Sequence, residues 1–252
     1  MNPNYPLKTS NPLDVYTLFT SHIQILYPAH LSLLQPFFKQ MNELRSKLDF
    51  EKYQKLVNGD FRINEEVHNF LLSYLAQCQV LEKYFKFGVP IYNKNNVNTS
   101  INLNCSWQDS FTSQMKNDNL MKTEIANCLY NLTICNINYA FALFPSQEPD
   151  EKKMALKSLR CALWAIREIK NFMGCFAVVF KDLQIENLNL MDNLLTGLSY
   201  LSIFEIYEKK ENDLGLENMA AILMTSAKHF KLAASCLENA KSIFPKVNSL
   251  LF

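Results

Sequence analysis

Residues 124–143 read EIANCLYNLTICNINYAFAL, and this stretch decides the fold of the chain. Its polar residues recur at helical spacing and therefore lie along one side of a helix. They are Glu124, Asn127, Asn131 and Asn138. Because buried polar groups need hydrogen-bond partners, we interpret this row as one that binds backbone groups of neighbouring helices, in preference to a ligand site.

The helical period continues on both sides of this stretch. Apolar residues recur every three or four positions almost throughout, and the 252 residues include only five glycines. This favours an all-α fold over an all-β or Rossmann organisation, and short turns between the segments predict a stack of irregular helical hairpins. The predicted helices cover residues 11–28, a segment around 34–44, and residues 64–85, 118–144, 150–173, 184–208 and 216–243.

Local signals set several of the predicted boundaries. Asn11, Pro12 and Asp14 form a helix start, with Asn11 as the side-chain cap and an acid at the positive end of the dipole. We expect one face of that first helix to carry Val15, Leu18, Phe19, His22 and Leu26, and Pro28 to end the helix. Pro36 must lie near the first turn of the second helix or kink it. Residues 86–104 are rich in asparagine and contain a Gly and a Pro, which predicts an irregular connection with room for one short extended segment.

Composition argues against several classes of function. The chain carries 25 Lys+Arg against 24 Asp+Glu, so no overall field favours nucleic acid. The N-terminus does not read as a secretory leader, and the longest apolar run, residues 172–180, is too short to span a bilayer. Seven cysteines without CxxC spacing indicate reduced thiols, with Cys175 as a core residue, and together these features predict a cytoplasmic protein.

The search for catalytic and metal-binding patterns is negative. The four histidines form neither an HExxH motif nor an HxxxH pair, and the chain has no glycine-rich phosphate loop. Each histidine alone is more typical of a packed or surface residue than of a ligand. The sequence therefore predicts a non-enzymatic protein without cofactor or metal.

A row of basic residues follows the quoted stretch in the sequence. Its members recur at intervals of four, three, seven and three, and they form a basic face on the predicted 150–173 helix. They are Lys153, Lys157, Arg160, Arg167 and Lys170. A solvated helix face is the favoured interpretation, and an anion-binding or membrane-touching surface is the alternative.

The quoted stretch and its neighbours resemble the Bro-one domain family of Alix-like proteins. In that family a W-x-D-x-F motif precedes a helix of the form E-K-x-x-x-L-F-N, followed by an acidic turn and an alanine-rich amphipathic helix. CSWQDSF at 105–111 matches the first motif through Trp107, Asp109 and Phe111. Glu124, Cys128, Leu129 and Asn131 match the second, and DEKKMALKSLRCALWAIREIKNF at 150–172 looks like the alanine-rich helix. Residues 71–85 and 6–28 are similar to earlier parts of the domain.

The resemblance implies one elongated, TPR-like helical domain over residues 1–252 that lacks the family's last helices. It also gives the fold-marker residues a packing role. Trp107 and Phe111 would bury against the helices, while Asp109 would bond nearby backbone amides. Glu124 and Asn131 belong to the same marker set.

The resemblance further implies an adaptor of endosomal sorting, recruited from the cytoplasm to the endosome surface. Such domains bind the C-terminal amphipathic helix of an ESCRT-III subunit in an apolar groove. The matching groove positions are Ile206 and Ile222, with Met219 added from helical spacing. Peripheral membrane contact through the basic face is a secondary expectation. Two alternatives stay open: a scaffold for another partner, such as a small GTPase or a signalling protein, and, less favoured, an all-helical enzyme.

Overall fold

The described part of the chain comprises residues 7–48, 61–88, 101–176, 178–208 and 215–243 of a computed structural model. It contains seven α-helices, two 3₁₀ helices at Pro28–His30 and Lys181–Leu183, and one small β-hairpin. The expected all-α fold is confirmed. The helices are α1 Val15–Leu26, α2 Leu31–Lys47, α3 Phe61–Tyr84, α4 Met121–Leu143, α5 Pro149–Asn171, α6 Ile185–Glu208 and α7 Leu216–Ile243. The strands are β1 Cys105–Gln108 and β2 Met115–Asp118.

Helices that follow one another in the chain pack against one another, as expected for stacked hairpins. Helix α4 lies at the centre, between α3 and α5, and is buried on almost every side. It is the quoted stretch of the sequence with three residues added at its start. None of the helices in the described ranges combines the length and the apolar character that crossing a bilayer requires.

The first helix begins later than predicted. Asp14, not Asn11, is its cap: the Asp14 carboxylate accepts a hydrogen bond from Thr17 N at 3.0 Å, and the helix starts at Val15. Asn11 instead donates its backbone N–H to Ser106 O at 3.2 Å. Of the face predicted for this helix, Val15 and Phe19 are buried and His22 is half-buried, while Ile23, which was not assigned to that face, is also buried.

The β-hairpin was not predicted. Strands β1 and β2 pair antiparallel, with Cys105 opposite Asp118, and Ser10 adds an isolated bridge to Trp107 on the other edge of β1. Of the predicted irregular connection at 86–104, residues 89–100 lie outside the described ranges, and the described ends are joined by a single bridge between Phe87 and Ile101. Cys105–Gln108 does alternate apolar and polar residues, but four residues are the shortest run in which that pattern indicates a strand.

A proline lies inside the second helix. Pro36 is five residues after Leu31, the first residue of α2, so it lies beyond the first turn. Its ring removes the hydrogen bond that would have reached the carbonyl of Ser32. The helix nonetheless continues to Lys47, because Phe38 and Met41 are buried in the core and hold the following turns in place.

Candidate partner-binding surface

Two of the fold-marker residues, Trp107 and Glu124, meet in a buried polar cluster. This α4 carboxylate accepts three hydrogen bonds, from Trp107 Nε1 at 2.5 Å, Arg45 Nε at 2.7 Å and Tyr74 Oη at 2.9 Å. Trp107, Tyr74 and Glu124 are fully buried, and Arg45 is almost so. The cluster therefore joins α2, α3, β1 and α4 at one carboxylate.

Asn131 lies two turns further along α4 and holds the N-terminal segment. Its side-chain amide accepts from Lys8 N at 2.7 Å and donates to Lys8 O at 2.9 Å, as a paired strand would. The predicted partners were backbone groups of neighbouring helices, and that part was wrong. The actual backbone partner is an extended segment more than a hundred residues away, a separation that helical periodicity does not reveal.

The Lys8 side chain is itself buried in this region. Its ammonium donates to Asn127 Oδ1 and to Asp182 Oδ1, the latter at 2.9 Å, and lies 4.5 Å from the centre of the Phe180 ring. Burial lowers the pKa of Lys8, although the Asp182 carboxylate acts in the opposite direction. Removing Lys8 or Asp182 would leave the other as a buried charge without its counter-ion.

Asp109 fixes the loop between the two strands. Its carboxylate accepts from the backbone amides of Phe111, Thr112 and Lys181 at 2.6 to 3.1 Å and from Lys116 Nζ at 3.1 Å. Burial by itself would raise the pKa of Asp109, but the donors outweigh it and the pKa is lowered. Phe111 differs from expectation, because it is half-buried and Trp107 alone of the two aromatic residues is fully buried.

The α6–α7 hairpin carries the predicted groove residues. Gly197 on α6 allows a close approach, since a Cβ there would lie 2.9 Å from the Phe230 ring of α7. Ser226 Oγ donates to Gly197 O at 2.9 Å, and His229 Nδ1 lies 3.1 Å from Asn193 Oδ1. This antiparallel register brings the end of α6, with Ile206, alongside the start of α7, with Met219.

A shallow cavity of about 280 Å³ opens near that end of the hairpin. It is lined by Tyr200, Asn218, Ala221, Ile222 and Thr225. Of the three predicted groove residues, only Ile222 lines this cavity. Ile206, Met219 and Ile222 are all half-buried.

Sequence reasoning missed the most exposed apolar side chains of this region. Leu216 is 91% exposed and Met224 is 73% exposed, both on α7. Leu223 and Leu232 are also exposed on this helix. Met219, Ile222, Ser226 and Ala233 recur with helical spacing, and the exposed residues lie off that stripe. This spacing could have separated the two sets, but the sequence alone does not say which side of α7 is covered.

Comparison with known proteins places this chain in a family. The BRO1-like domain model matches residues 3–249. The chain belongs to the BRO1-like domain family. No curated protein sequence gives a significant match to it.

Solved structures share the fold of this BRO1-like chain. An ALIX BRO1 CHMP4C complex matches with a TM-score of 0.74 and 16% identity, over 93% of this chain and 64% of that one. ALIX in complex with the SIVmac239 PYKEVTEDL late domain matches with a TM-score of 0.73 and 17% identity, over 93% of this chain and 33% of that one. At such identities the likeness shows the fold, and the BRO1-like chain spans less than two thirds of each relative.

The basic face of the BRO1-like chain is less charged than its sequence indicated. Lys153 pairs with Asp150 at 2.7 Å, and Asp192 takes both Arg167 at 3.3 Å and Lys170 at 2.5 Å. Lys157 and Arg160 are exposed on the same side of α5. Trp164, one turn after Arg160, is 42% exposed and was not singled out by the sequence. The exposed cations thus lie next to an exposed aromatic ring.

The other chemistry-bearing residues of the BRO1-like domain are dispersed. Among the described residues, no three His, Cys, Asp or Glu side chains come together as a metal site. A cavity of about 300 Å³ between α3, α4 and α5 holds His68, whose Nδ1 lies 3.0 Å from Asn136 Nδ2 and whose pKa burial lowers. Cys175, predicted as a core residue, is exposed; it lies beyond the end of α5, directly after Gly174, whose φ is 83°.

Proposed function

We propose that this chain is a non-enzymatic adaptor of endosomal sorting that binds the C-terminal amphipathic helix of an ESCRT-III subunit. The observation that carries the proposal is the α6–α7 cavity beside exposed apolar residues in a chain of the BRO1-like family. A solved relative of the same fold is a complex that contains CHMP4C. Recruitment from the cytoplasm to the endosome would follow from binding the filament subunit.

The geometry suits helix-in-groove recognition. Ile222 offers an apolar floor, while Asn218 and Thr225 offer polar atoms at the rim of the cavity. An amphipathic helix would place anchors at i, i+3 and i+4 over this floor and keep its polar face in solvent. Affinity would rest on a few anchors, so we expect a dissociation constant of about 1 μM, or about −8 kcal/mol.

A peptide titration tests the proposal. Fluorescence anisotropy is measured with labelled peptides from ESCRT-III C-terminal helices, alongside a scrambled peptide of equal composition. Ala221→Arg places a long side chain over the cavity and should abolish binding, whereas Ala234→Arg, a change at another exposed alanine of α7, should leave it intact. Ile222→Asp provides a second disruption, with circular dichroism as a check on folding.

The outcomes separate the candidate functions. Loss of binding in Ala221→Arg but not in Ala234→Arg supports the adaptor role. A folded chain that binds no ESCRT-III peptide refutes it and points to another partner, such as a small GTPase or a signalling protein. Equal binding by both arginine variants would show that the helix docks elsewhere.

We also propose peripheral membrane contact through α5. The specific observation is that exposed Trp164 lies beside Lys157 and Arg160, since a tryptophan flanked by cations is typical of the membrane interface. Sedimentation with vesicles containing phosphatidylserine should fall when Lys157 and Arg160 are both replaced by Glu. Trp107 is fully buried, so a blue shift of fluorescence on vesicle addition would report Trp164. Unchanged sedimentation would mean that this is only a solvated face.

A further inference from the structure

The cavity of about 300 Å³ between α3, α4 and α5 is lined mostly by polar side chains. Its floor is α4, through the buried side chains of Cys135 and Asn136, and its two sides are α3 and α5. His68 lines it from α3, and Lys157 and Ser158 line it from α5. A concave site with a few convergent polar groups is typical of small-molecule binding.

Hydrogen bonds at the floor of this cavity fix the tautomer of His68. Asn136 Nδ2 donates to Leu132 O at 2.8 Å, so this atom is the NH₂ of the amide and not its oxygen. The same NH₂ lies 3.0 Å from His68 Nδ1, which must therefore accept, and the proton of the neutral ring is on Nε2. Among the described residues, none accepts a hydrogen bond from Nε2. His68 thus has one N–H donor available to a ligand.

Two opposite charges flank the His68 ring. Glu65 lies on the same side of α3, and Lys157 lies across the cavity on α5. Both are near enough to act on the pKa of His68: burial lowers it most, Glu65 raises it and Lys157 lowers it. Within the described part of the chain, neither charge forms an ion pair with the other or with a further residue. The cavity therefore has an acceptor on one side and donors on the other.

We propose that this cavity binds a small zwitterion, a molecule of amino-acid size that carries one carboxylate and one ammonium group. Its carboxylate accepts hydrogen bonds from Lys157 Nζ and His68 Nε2, and its ammonium donates to the Glu65 carboxylate. A simple anion is attracted by Lys157 but repelled by Glu65, and a simple cation meets the reverse. Only a ligand with both charges forms charge-assisted hydrogen bonds on both sides.

The cavity also sets the size and the affinity of its ligand. A volume of about 300 Å³ is at the lower end for ligand pockets, so it suits a molecule of about ten non-hydrogen atoms or fewer. Because Glu65 and Lys157 are both exposed, water screens their attraction for the ligand. We therefore expect a dissociation constant on the order of 1 mM.

A titration followed by NMR tests the charge requirement. The probes are three zwitterions of increasing length, glycine, γ-aminobutyrate and ε-aminocaproate. Valerate and butylammonium are the controls, since each keeps only one charge of γ-aminobutyrate. At least one zwitterion should shift the ring signals of His68, assigned with His68→Gln, and should bind about tenfold more tightly than either control. If no zwitterion saturates the shift below about 50 mM, or if a control binds as tightly, the proposal is overturned.

Substitutions at the rim identify the two charged partners. Lys157→Gln should weaken zwitterion binding about tenfold, and Glu65→Gln should abolish the preference for the zwitterion over valerate. Glu66→Gln, at the next acid of α3, and Lys39→Gln, on α2, should bind like the parent chain. All four positions are exposed, so each variant should keep the circular dichroism of the parent. Equal zwitterion binding by the parent, Glu65→Gln and Lys157→Gln would overturn the proposal.

Two further measurements separate this site from the proposed functions. The titration contains neither peptide nor vesicle, and Glu65→Gln should lose zwitterion selectivity while vesicle sedimentation and peptide binding stay at parent levels. A long-range proton–nitrogen spectrum of the histidine rings should show the His68 proton on Nε2. A proton on Nδ1 would remove the donor for the carboxylate and overturn the assigned binding mode.

Discussion

Replacing Glu124 by Gln should be among the most destabilising single changes of a polar residue in this chain. The carboxylate accepts bonds from Arg45 Nε and Tyr74 Oη on one oxygen and from Trp107 Nε1 on the other. A glutamine must turn its NH₂ towards one of these sides. In either orientation that NH₂ faces an N–H donor, so at least one buried donor loses its acceptor.

The size of the expected loss of stability follows from the burial of both charged side chains. The side chain of Arg45 is 3% exposed and that of Glu124 is 0% exposed, so the substitution leaves a guanidinium buried without its counter-ion. Breaking a buried ion pair from one side costs about 3–5 kcal/mol. For a chain of this length that corresponds to a fall in Tm of about 6–20 °C. Glu148→Gln, at an exposed acid before α5, should change Tm by less than about 2 °C.

A double-mutant cycle provides the assay. Urea unfolding followed by far-ultraviolet circular dichroism is measured for Glu124→Gln, Arg45→Met and the double variant. The double variant should lose less stability than the sum of the two single changes by about 1–3 kcal/mol, because it leaves no unpaired charge. A cost below about 1 kcal/mol for Glu124→Gln, or strict additivity, would refute the reasoning.

Three further perturbations have expected outcomes. Gly197→Ala puts a Cβ 2.9 Å from the Phe230 ring and should lower the free energy of unfolding by about 1–3 kcal/mol in urea titration. The pKa of Asp109 is lowered in the folded state, so its stabilisation is complete above its unfolded pKa of about 3.9 and is lost as pH falls through the lower folded value. Asp109→Asn should therefore flatten the acid limb of a stability–pH curve. Maleimide should label exposed Cys175 well before Cys128, whose pKa burial raises, and equal labelling in peptide mass spectra would contradict this.

The helices were predictable because residues at or next to their ends mark their boundaries. Pro145 follows the end of α4, Pro149 begins α5 and Gly215 precedes α7, so periodicity and helix-breaking residues together give their ends within a few residues. The partners of the buried polar residues were not predictable in this way. Lys8 donates hydrogen bonds to Asn127 and Asp182 across sequence separations of 119 and 174 residues, and no periodic pattern in the sequence indicates these contacts.

The candidate surface was only partly predictable for a different reason. Helix α7 has apolar residues around most of its circumference, so its sequence does not show which of them α6 covers. Met219 and Ile222 lie towards α6 and are half-buried, whereas Met224 is free of it and largely exposed. Only packing distinguishes them, because a methionine that fills a core and one that faces a partner have the same spacing.

The residues whose motifs resemble the family and the residues proposed to carry its function lie in different parts of the molecule. Trp107, Glu124 and Asn131 are buried around α4, while the cavity with Ile222 is on the α6–α7 hairpin. Changes in the first group should lower stability and reduce peptide binding only by reducing the folded fraction. Changes in the second, such as Ala221→Arg, should reduce binding while the unfolding midpoint stays constant. Measuring both quantities for each variant therefore separates a loss of function from a loss of fold, and a core variant that lost binding while fully folded would show that α4 communicates with the groove.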